Sequence, residues 1–238
     1  MTTYCKRCLI PSTKPSIRFN DDGICSACQW HDNKNSFYKN NKQNFKSIVL
    51  ANKSNPDYDC IIPVSGGKDS TYQVWRVLKE GFNPLCVTAP TDFLTPIGRK
   101  NIENIKSLGV DHIEVSVDPT VRRKINRYAL TTIGDIQWPE HVLIFTIPVQ
   151  IAVKFNIPIV IWGENSVREY GAGRKEDEAI GVQFTREYME ENCGFNGLRV
   201  SDLSSILDIP RRQLSFYRYP DDSKVESFGV KGLFLDDF

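Results

Sequence analysis

The sequence has no long uninterrupted apolar run, although 40% of its 238 residues are hydrophobic. The most apolar stretch, residues 141–162, is broken by Gln150, Lys154, Asn156 and two prolines, so it does not supply the ~20 apolar residues of a membrane-spanning helix. The opening MTTYCKRCLI also lacks the apolar core of a secretory signal. These absences predict a cytoplasmic protein with no membrane partner.

A large excess of charge is absent as well, because 30 Lys and Arg stand against 29 Asp and Glu. Residues 1–55 nevertheless hold nine Lys and Arg against three Asp and Glu, a net charge of +6, and the remainder carries −5. This basic segment fits either a solvated surface or a face for an anionic partner. The whole-chain balance does not favour nucleic acid as that partner.

The chain divides at about residue 55. The first part is polar, and its Asn/Lys-rich run has a weak helical stripe of Phe37, Phe45, Ile48 and Val49 that predicts a connecting helix. We therefore predict a small module at residues 1–55 and a larger domain at residues 56–238.

In the larger domain, short apolar runs alternate with helical patterns. Strands are predicted at residues 60–64, 85–88, 112–117 and 157–162, and helices at residues 97–108, 120–130 and 142–155, where Pro148 should kink or break the helix. A further helix follows the first strand, with Thr71, Val74, Trp75 and Leu78 on one face. This alternation predicts an α/β fold, a Rossmann-like parallel sheet with helices on both faces.

Four of the seven cysteines form two pairs of the form Cys-x-x-Cys, at Cys5 with Cys8 and at Cys25 with Cys28. Two residues between cysteines allow both thiolates to reach one metal ion, and four thiolates suit a closed tetrahedral Zn²⁺ site. The spacing predicts a structural zinc module, with an iron–sulfur or redox dithiol site as the alternative. Cys60 and Cys86 fall in predicted strands, where a free cysteine packs as a small hydrophobe.

The segment Val64-Ser65-Gly66-Gly67-Lys68-Asp69-Ser70 lies between the first predicted strand and its helix. Adjacent glycines let backbone N–H groups approach an anion, and the helix directs its positive end to the same place. Lys68 is predicted to supply positive charge for a phosphate group. Asp69 is predicted to bind a Mg²⁺ ion, which would bridge phosphates. The pattern matches neither a Walker loop nor the dinucleotide-binding glycine motif.

The hexapeptide Ser65–Ser70 resembles the PP-loop of the ATP-pyrophosphatase superfamily. Together with the four-cysteine module, Leu94–Asn101, Ile161–Asn165 and Tyr170-Gly171, it resembles the N-acetyl sugar amidotransferases of bacterial O-antigen (lipopolysaccharide) and pseudaminic- or legionaminic-type sugar pathways. The resemblance covers essentially the whole chain and implies a HUP-type parallel sheet.

The resemblance also implies an activity: ATP is cleaved to AMP and pyrophosphate while an acetamido group becomes an acetamidino group. It implies catalytic roles for Lys68, Asp69 and Glu164, and a sugar contact for Arg168. Glu164 would either share Mg²⁺ or orient ammonia. The implied ATP contacts are Ser65, Gly66, Gly67, Lys68, Asp69, Ser70, Thr88, Gly163 and Asn165.

Ammonia needs a source, and the sequence shows neither an N-terminal cysteine nucleophile nor a cysteine in a G-x-C-x-G elbow. A separate glutaminase subunit is therefore expected, and the resemblance adds a cyclase-like partner. The acceptor is expected to be an acetamido sugar carried on a nucleotide.

Two other functions remain open. A tRNA-thiolating PP-loop enzyme would also combine such a loop with zinc knuckles, and a non-catalytic subunit would bind ATP without turnover. Residues 233–238 predict a strand that enters further protein, so we also expect a C-terminally truncated chain as one alternative.

Overall fold

The computed structural model describes residues 1–14, 16–41, 45–90, 94–165 and 181–238. Its six strands are β1 (Cys60–Pro63), β2 (Pro84–Thr88), β3 (Asp111–Glu114), β4 (Ile159–Trp162), β5 (Val182–Gln183) and β6 (Lys231–Phe234). They form one sheet in the order β3-β2-β1-β4-β6-β5. All neighbours pair in parallel except β5, which is antiparallel to β6.

Nine described α-helices accompany the sheet: α1 (Ser26–Asn41), α2 (Phe45–Ala51), α3 (Lys68–Lys79), α4 (Pro96–Lys106), α5 (Pro119–Ile133), α6 (Trp138–Phe155), α7 (Arg186–Asn192), α8 (Val200–Ile206) and α9 (Asp222–Ser227). Two 3-10 helices cover Arg211–Tyr217 and Leu235–Asp237. Among the helices that the structure describes, none is both long enough and apolar enough to cross a bilayer.

Side-chain alternation along the buried strands creates two cores. Ile61 and Val160 pack with α5 and α6 on one face, whereas Ile62 and Ile161 pack with α2, α3 and α4 on the other. The predicted fold class, a mainly parallel α/β sheet with helices on both faces, is thereby confirmed.

Several local predictions need correction. On α3 the buried face consists of Ser70, Gln73, Val74 and Val77, while Trp75 is 45% exposed. The helical spacing of Trp75 therefore predicted the wrong buried face for α3. The inner face beside the loop is occupied by two polar side chains, Ser70 and Gln73.

Helix α6 continues through Pro148 and is buried along most of its length. Proline removes one backbone donor from a helix, and here the packing of ten buried residues, all but one of them apolar, outweighs that loss. Strand β3 is shorter than predicted, and the last strand ends at Phe234, where a 3-10 turn begins.

Candidate functional site

The glycine loop joins the carboxyl end of β1 to the amino end of α3. Gly66 has φ of +75°, a conformation that glycine adopts without strain. Gly67 is the N-cap of α3, and no side chain of the described residues caps the first turn. The leading N–H groups of α3 are therefore directed at the loop, where they suit an anion.

Two hydroxyl groups fix the loop from within. Ser70 is buried, and its Oγ donates to the Gly67 carbonyl at 3.1 Å and accepts from the Ser65 N–H at 3.4 Å. Thr71 Oγ1 donates to the same Gly67 carbonyl at 3.0 Å. The predicted ligand-binding Ser70 thus has a structural task in the loop, whereas Ser65 remains exposed at its rim.

Helix α4 supports the loop from behind. Asn101 Nδ2 donates to the Gly66 carbonyl at 2.8 Å. A Cβ added at Gly66 would overlap the Gly98 carbonyl oxygen and come within 3.2 Å of Ile102 Cγ1. The segment Leu94–Asn101 therefore contributes the surface on which the loop rests.

Two charged residues stand at the mouth of the loop. Lys68 Nζ lies 2.5 Å from Asp69 Oδ1, and both side chains are largely exposed. The hydrogen bond and the charge of Asp69 raise the pKa of Lys68, with a further contribution from the charge of Glu164. These three predicted residues therefore share one electrostatic environment.

The turn after β4 forms the opposite side of the site. Asn165 is buried, and its backbone N–H donates to Asp236 Oδ2 at 3.0 Å. The Asp236 N–H donates to the Gly163 carbonyl at 3.1 Å. Asp236 thus fixes this turn to the end of β6 and leaves Glu164 exposed.

A cavity of about 640 Å³ lies between the loop and this turn. It occupies the carboxyl edge of the sheet where the strand order reverses between β1 and β4, the usual ligand position in open α/β sheets. Its described lining includes three carboxylates and no Lys, Arg or His. The predicted residues among the lining are Ser65, Asp69, Ser70, Gly163, Glu164 and Asn165.

Sequence reasoning missed other lining residues. Asp236 follows an apolar strand, and a carboxylate at a strand end was a usable signal. Gln73 gave no signal because a glutamine is ordinary in a helix. Trp162 packs against Phe145 at 4.9 Å and Phe184 at 6.1 Å between ring centroids, which forms an aromatic wall that only the folded chain assembles.

Thr88 does not line this cavity. Its hydroxyl donates to the Val64 carbonyl at 2.8 Å and lies 2.8 Å from His112 Nε2. Val87 and Ala89, which flank it, do line the cavity, as strand alternation requires. The Thr88 side chain therefore supports the sheet, and the contact between Thr88 and ATP stays a prediction.

The remaining cysteines are buried. Burial raises the pKa of the Cys86 thiol to about 12, and burial also raises the pKa values of Cys60 and Cys193. Cys193 lines the central cavity as a protonated thiol. Arg168 and Tyr170-Gly171 lie outside the described residues.

The four paired cysteines converge on one point. The Sγ atoms of Cys5, Cys8, Cys25 and Cys28 all lie within 4.8 Å of one another, and Cys8 Sγ is 3.5 Å from Cys25 Sγ. Tetrahedral Zn–S bonds of about 2.3 Å would separate sulfur atoms by about 3.8 Å. The cluster is therefore compatible with a four-thiolate zinc site.

Backbone N–H groups are directed at one thiol of this cluster, that of Cys5. The N–H groups of Arg7 and Cys25 donate to Cys5 Sγ at 3.4 and 3.3 Å. Burial raises the pKa of Cys5, but backbone donors from Cys8, Cys25 and Arg7 outweigh it and lower that pKa to about 6. A paired contact between Arg7 and Asp32 at 2.7 Å ties the first knuckle to α1.

The fold and the loop define the class of protein: an α/β protein with a glycine-rich loop at the switch point of its sheet and a four-cysteine cluster before it. No protein-family model and no curated protein matches the chain. Among solved structures, an NMN synthetase from Francisella tularensis is similar to it, with 17% identity over 82% of this chain and 76% of that chain and a TM-score of 0.40.

Proposed function

We propose that the chain is an AMP-forming PP-loop enzyme, the synthetase subunit of an amidotransferase that converts an acetamido group of a sugar to an acetamidino group. The observation that carries the proposal is the position of the loop. Its N–H groups and Asp69 border a cavity that reaches Glu164 and Asn165 across the switch point. The loop and the turn after β4 therefore face one cavity, in which a nucleotide and an acceptor would meet.

The loop is suited to the departure of pyrophosphate. The leading N–H groups of α3, the Ser65 hydroxyl and Lys68 would stabilise the charge that develops on the leaving group. Asp69 would hold Mg²⁺, which neutralises phosphate charge when bound. Because the described lining is otherwise acidic, this local positive charge directs phosphates to the loop end of the cavity.

The acceptor amide reacts in two steps. Its oxygen attacks the α-phosphorus of ATP, the bond from that phosphorus to pyrophosphate breaks, and an O-adenylyl imidate forms. The nitrogen of ammonia adds to the imidate carbon, the carbon–oxygen bond breaks, and AMP leaves with the electron pair. Glu164, exposed at the cavity rim, is the residue we assign to accept a proton from the attacking nitrogen.

The acceptor and the ammonia source extend the proposal beyond the described residues. The sugar, carried on a nucleotide, would contact Arg168, and a separate glutaminase, with a cyclase-like subunit, would supply ammonia. This part rests on the resemblance of Leu94–Asn101 and Ile161–Asn165 to the sugar enzymes. Its structural support is that the first segment contacts the loop through Asn101 and that the second contributes residues to the cavity wall.

Thiolation of tRNA is the second candidate, and the +6 charge of residues 1–55 favours it. Against it, the carboxylates of Glu164 and Asp236 add negative charge to the side of the cavity away from the loop, which opposes an anionic sulfur nucleophile there.

The test measures AMP and pyrophosphate release from Mg·ATP and ammonium with a panel of acetamido nucleotide-sugars or with bulk tRNA. We expect sugar-dependent AMP and a product in which NH replaces oxygen, detected by mass spectrometry. Asp69→Asn should lose most activity, whereas Asp57→Asn, at the opposite edge of the sheet, should keep it. AMP release that depends on tRNA would overturn the sugar assignment, and ATP binding without turnover on any acceptor would indicate a non-catalytic subunit.

A further inference from the structure

Gln73 is a buried polar residue to which the proposed reaction assigns no role. It lies on α3 one turn beyond Asp69 and Ser70, it is only 5% exposed, and it lines the central cavity. The amide of Gln73 is therefore largely removed from water, and it can contact a ligand that binds in the cavity.

The orientation of this amide follows from its single hydrogen bond. Gln73 Nε2 donates to the Ile161 carbonyl at 3.4 Å. The reverse orientation would bring two carbonyl oxygens together, so Oε1 is the atom turned away from Ile161. Among the described residues none donates to Oε1, and this oxygen keeps some solvent access at the cavity wall, so a ligand there can supply the donor.

Gly163 makes room for the same amide. A Cβ added at Gly163 would stand 3.3 Å from Gln73 Cδ, 3.4 Å from Oε1 and 3.5 Å from Nε2. These nearly equal distances mean that a face of the amide is turned toward the space that a Cβ of residue 163 would fill. Gln73 is thereby held between the glycine loop and the turn after β4, the two sides of the proposed reaction site.

We propose that Gln73 Oε1 accepts a hydrogen bond from the amide N–H of the acceptor, an inference that rests on the proposed function. Phosphate oxygens are themselves acceptors and do not hydrogen-bond to a carbonyl oxygen, so its hydrogen-bond partner on an organic ligand is an N–H or O–H group. An acetamido group has such a donor next to the carbonyl that reacts. Gln73 therefore selects secondary amides over esters and tertiary amides, which lack the N–H.

The kinetic test compares wild type with Gln73→Met, which keeps the length of the side chain and removes its acceptor. On an acetamido sugar that wild type turns over, we expect the acceptor KM to rise at least tenfold. The Kd of a non-hydrolysable Mg·ATP analogue, measured by calorimetry without acceptor, should stay within twofold. Gln183→Met, an exposed change on β5, serves as the control and should alter neither value.

A binding test separates this inference from the proposed function. Saturation-transfer NMR in the presence of the ATP analogue would use N-methylacetamide, a secondary amide, and N,N-dimethylacetamide, which has no N–H. We expect transfer to the first probe in wild type and its loss in Gln73→Met, with weak transfer to the second in both. The inference would be overturned by equal signals for the two probes, by no binding of N-methylacetamide to wild type, or by a Gln73→Met variant that loses only ATP affinity. Binding of the probe without turnover of any sugar would contradict only the proposed function.

Discussion

The Asn101 side chain donates a hydrogen bond of 2.8 Å to the carbonyl of Gly66, and so connects α4 directly to the glycine loop. This bond fixes one peptide of the loop from outside the strand–loop–helix segment. Because the N–H groups on either side of that peptide are the proposed phosphate donors, the loop geometry depends on a residue 35 positions away.

Asn101→Ala tests that dependence. Removing the donor leaves the Gly66 carbonyl without this partner and should weaken binding of a non-hydrolysable Mg·ATP analogue several-fold, consistent with a hydrogen bond worth about 1 kcal/mol. Calorimetry gives the Kd. Lys100→Ala, an exposed change on the same helix, is the matched control and should bind like wild type. Equal affinities in all three proteins would contradict a positioning role for Asn101.

Gly66→Ala should damage the loop more severely than Asn101→Ala. The residue has φ of +75°, and an added Cβ would overlap the Gly98 carbonyl oxygen, a backbone atom that cannot move aside cheaply. Strain of this kind costs of order 1–3 kcal/mol, so we expect a lower melting temperature together with loss of ATP binding. A variant that melts and binds like wild type would show that the loop does not pack on α4 in this way.

Gly232→Ala tests packing in the last strands. A Cβ at Gly232 would overlap the ring of Phe184, which is itself 1% exposed and lines the cavity. Overpacking should destabilise the protein by about 1–3 kcal/mol, measured by urea unfolding. Phe184→Leu in the same chain should recover part of that loss, because the smaller side chain makes room. Failure of the second change to recover any stability would argue against this contact.

The four-cysteine cluster predicts one zinc ion per purified chain, measured by elemental analysis. Cys8→Ser should abolish stoichiometric zinc and leave residues 1–41 sensitive to protease, because the small module has few other buried contacts. A strong chelator should do the same to wild type. Cys193→Ala should retain the metal. Iron in place of zinc, or full metal content in Cys8→Ser, would refute the assignment.

We expect the stability of the folded protein to depend on pH through the titration of His112. Thr88 gives its only proton to the Val64 carbonyl, so His112 Nε2 must donate to Thr88. Burial, with help from the charge of Lys106, lowers the pKa of His112, and the charge of Glu114 opposes that shift. The stabilisation from this lowered pKa is present above the unfolded value of about 6.5 and is lost as pH falls through the folded pKa.

The melting temperature of wild type should therefore fall more steeply below about pH 6.5 than that of His112→Gln. Other titrating groups, including the zinc ligands, contribute to both proteins and cancel in the comparison. Parallel curves for the two proteins would mean that His112 titrates as it does in the unfolded chain.

Much of this architecture was predictable. Short apolar runs such as residues 60–64 predicted the buried strands because a parallel sheet covered on both faces needs apolar side chains in both directions. The inner face of α3 was predicted poorly. Its Ser70 and Gln73 are buried because they contact the loop and the cavity. The spacing of hydrophobic residues does not predict burial of polar side chains.

The sequence by itself determined the alternation of strands and helices up to about residue 162, the two cysteine knuckles and the glycine loop, because each depends on residues close together in the chain. Only the tertiary structure decided that Asn101 supports Gly66, that Asp236 secures the turn at Gly163 and Asn165, and that Gln73 turns an acceptor oxygen away from Ile161. These relationships join residues from 35 to 88 positions apart. They follow from the parallel sheet, which brings the carboxyl ends of separate strands to one edge, and no local pattern records which side chains meet there.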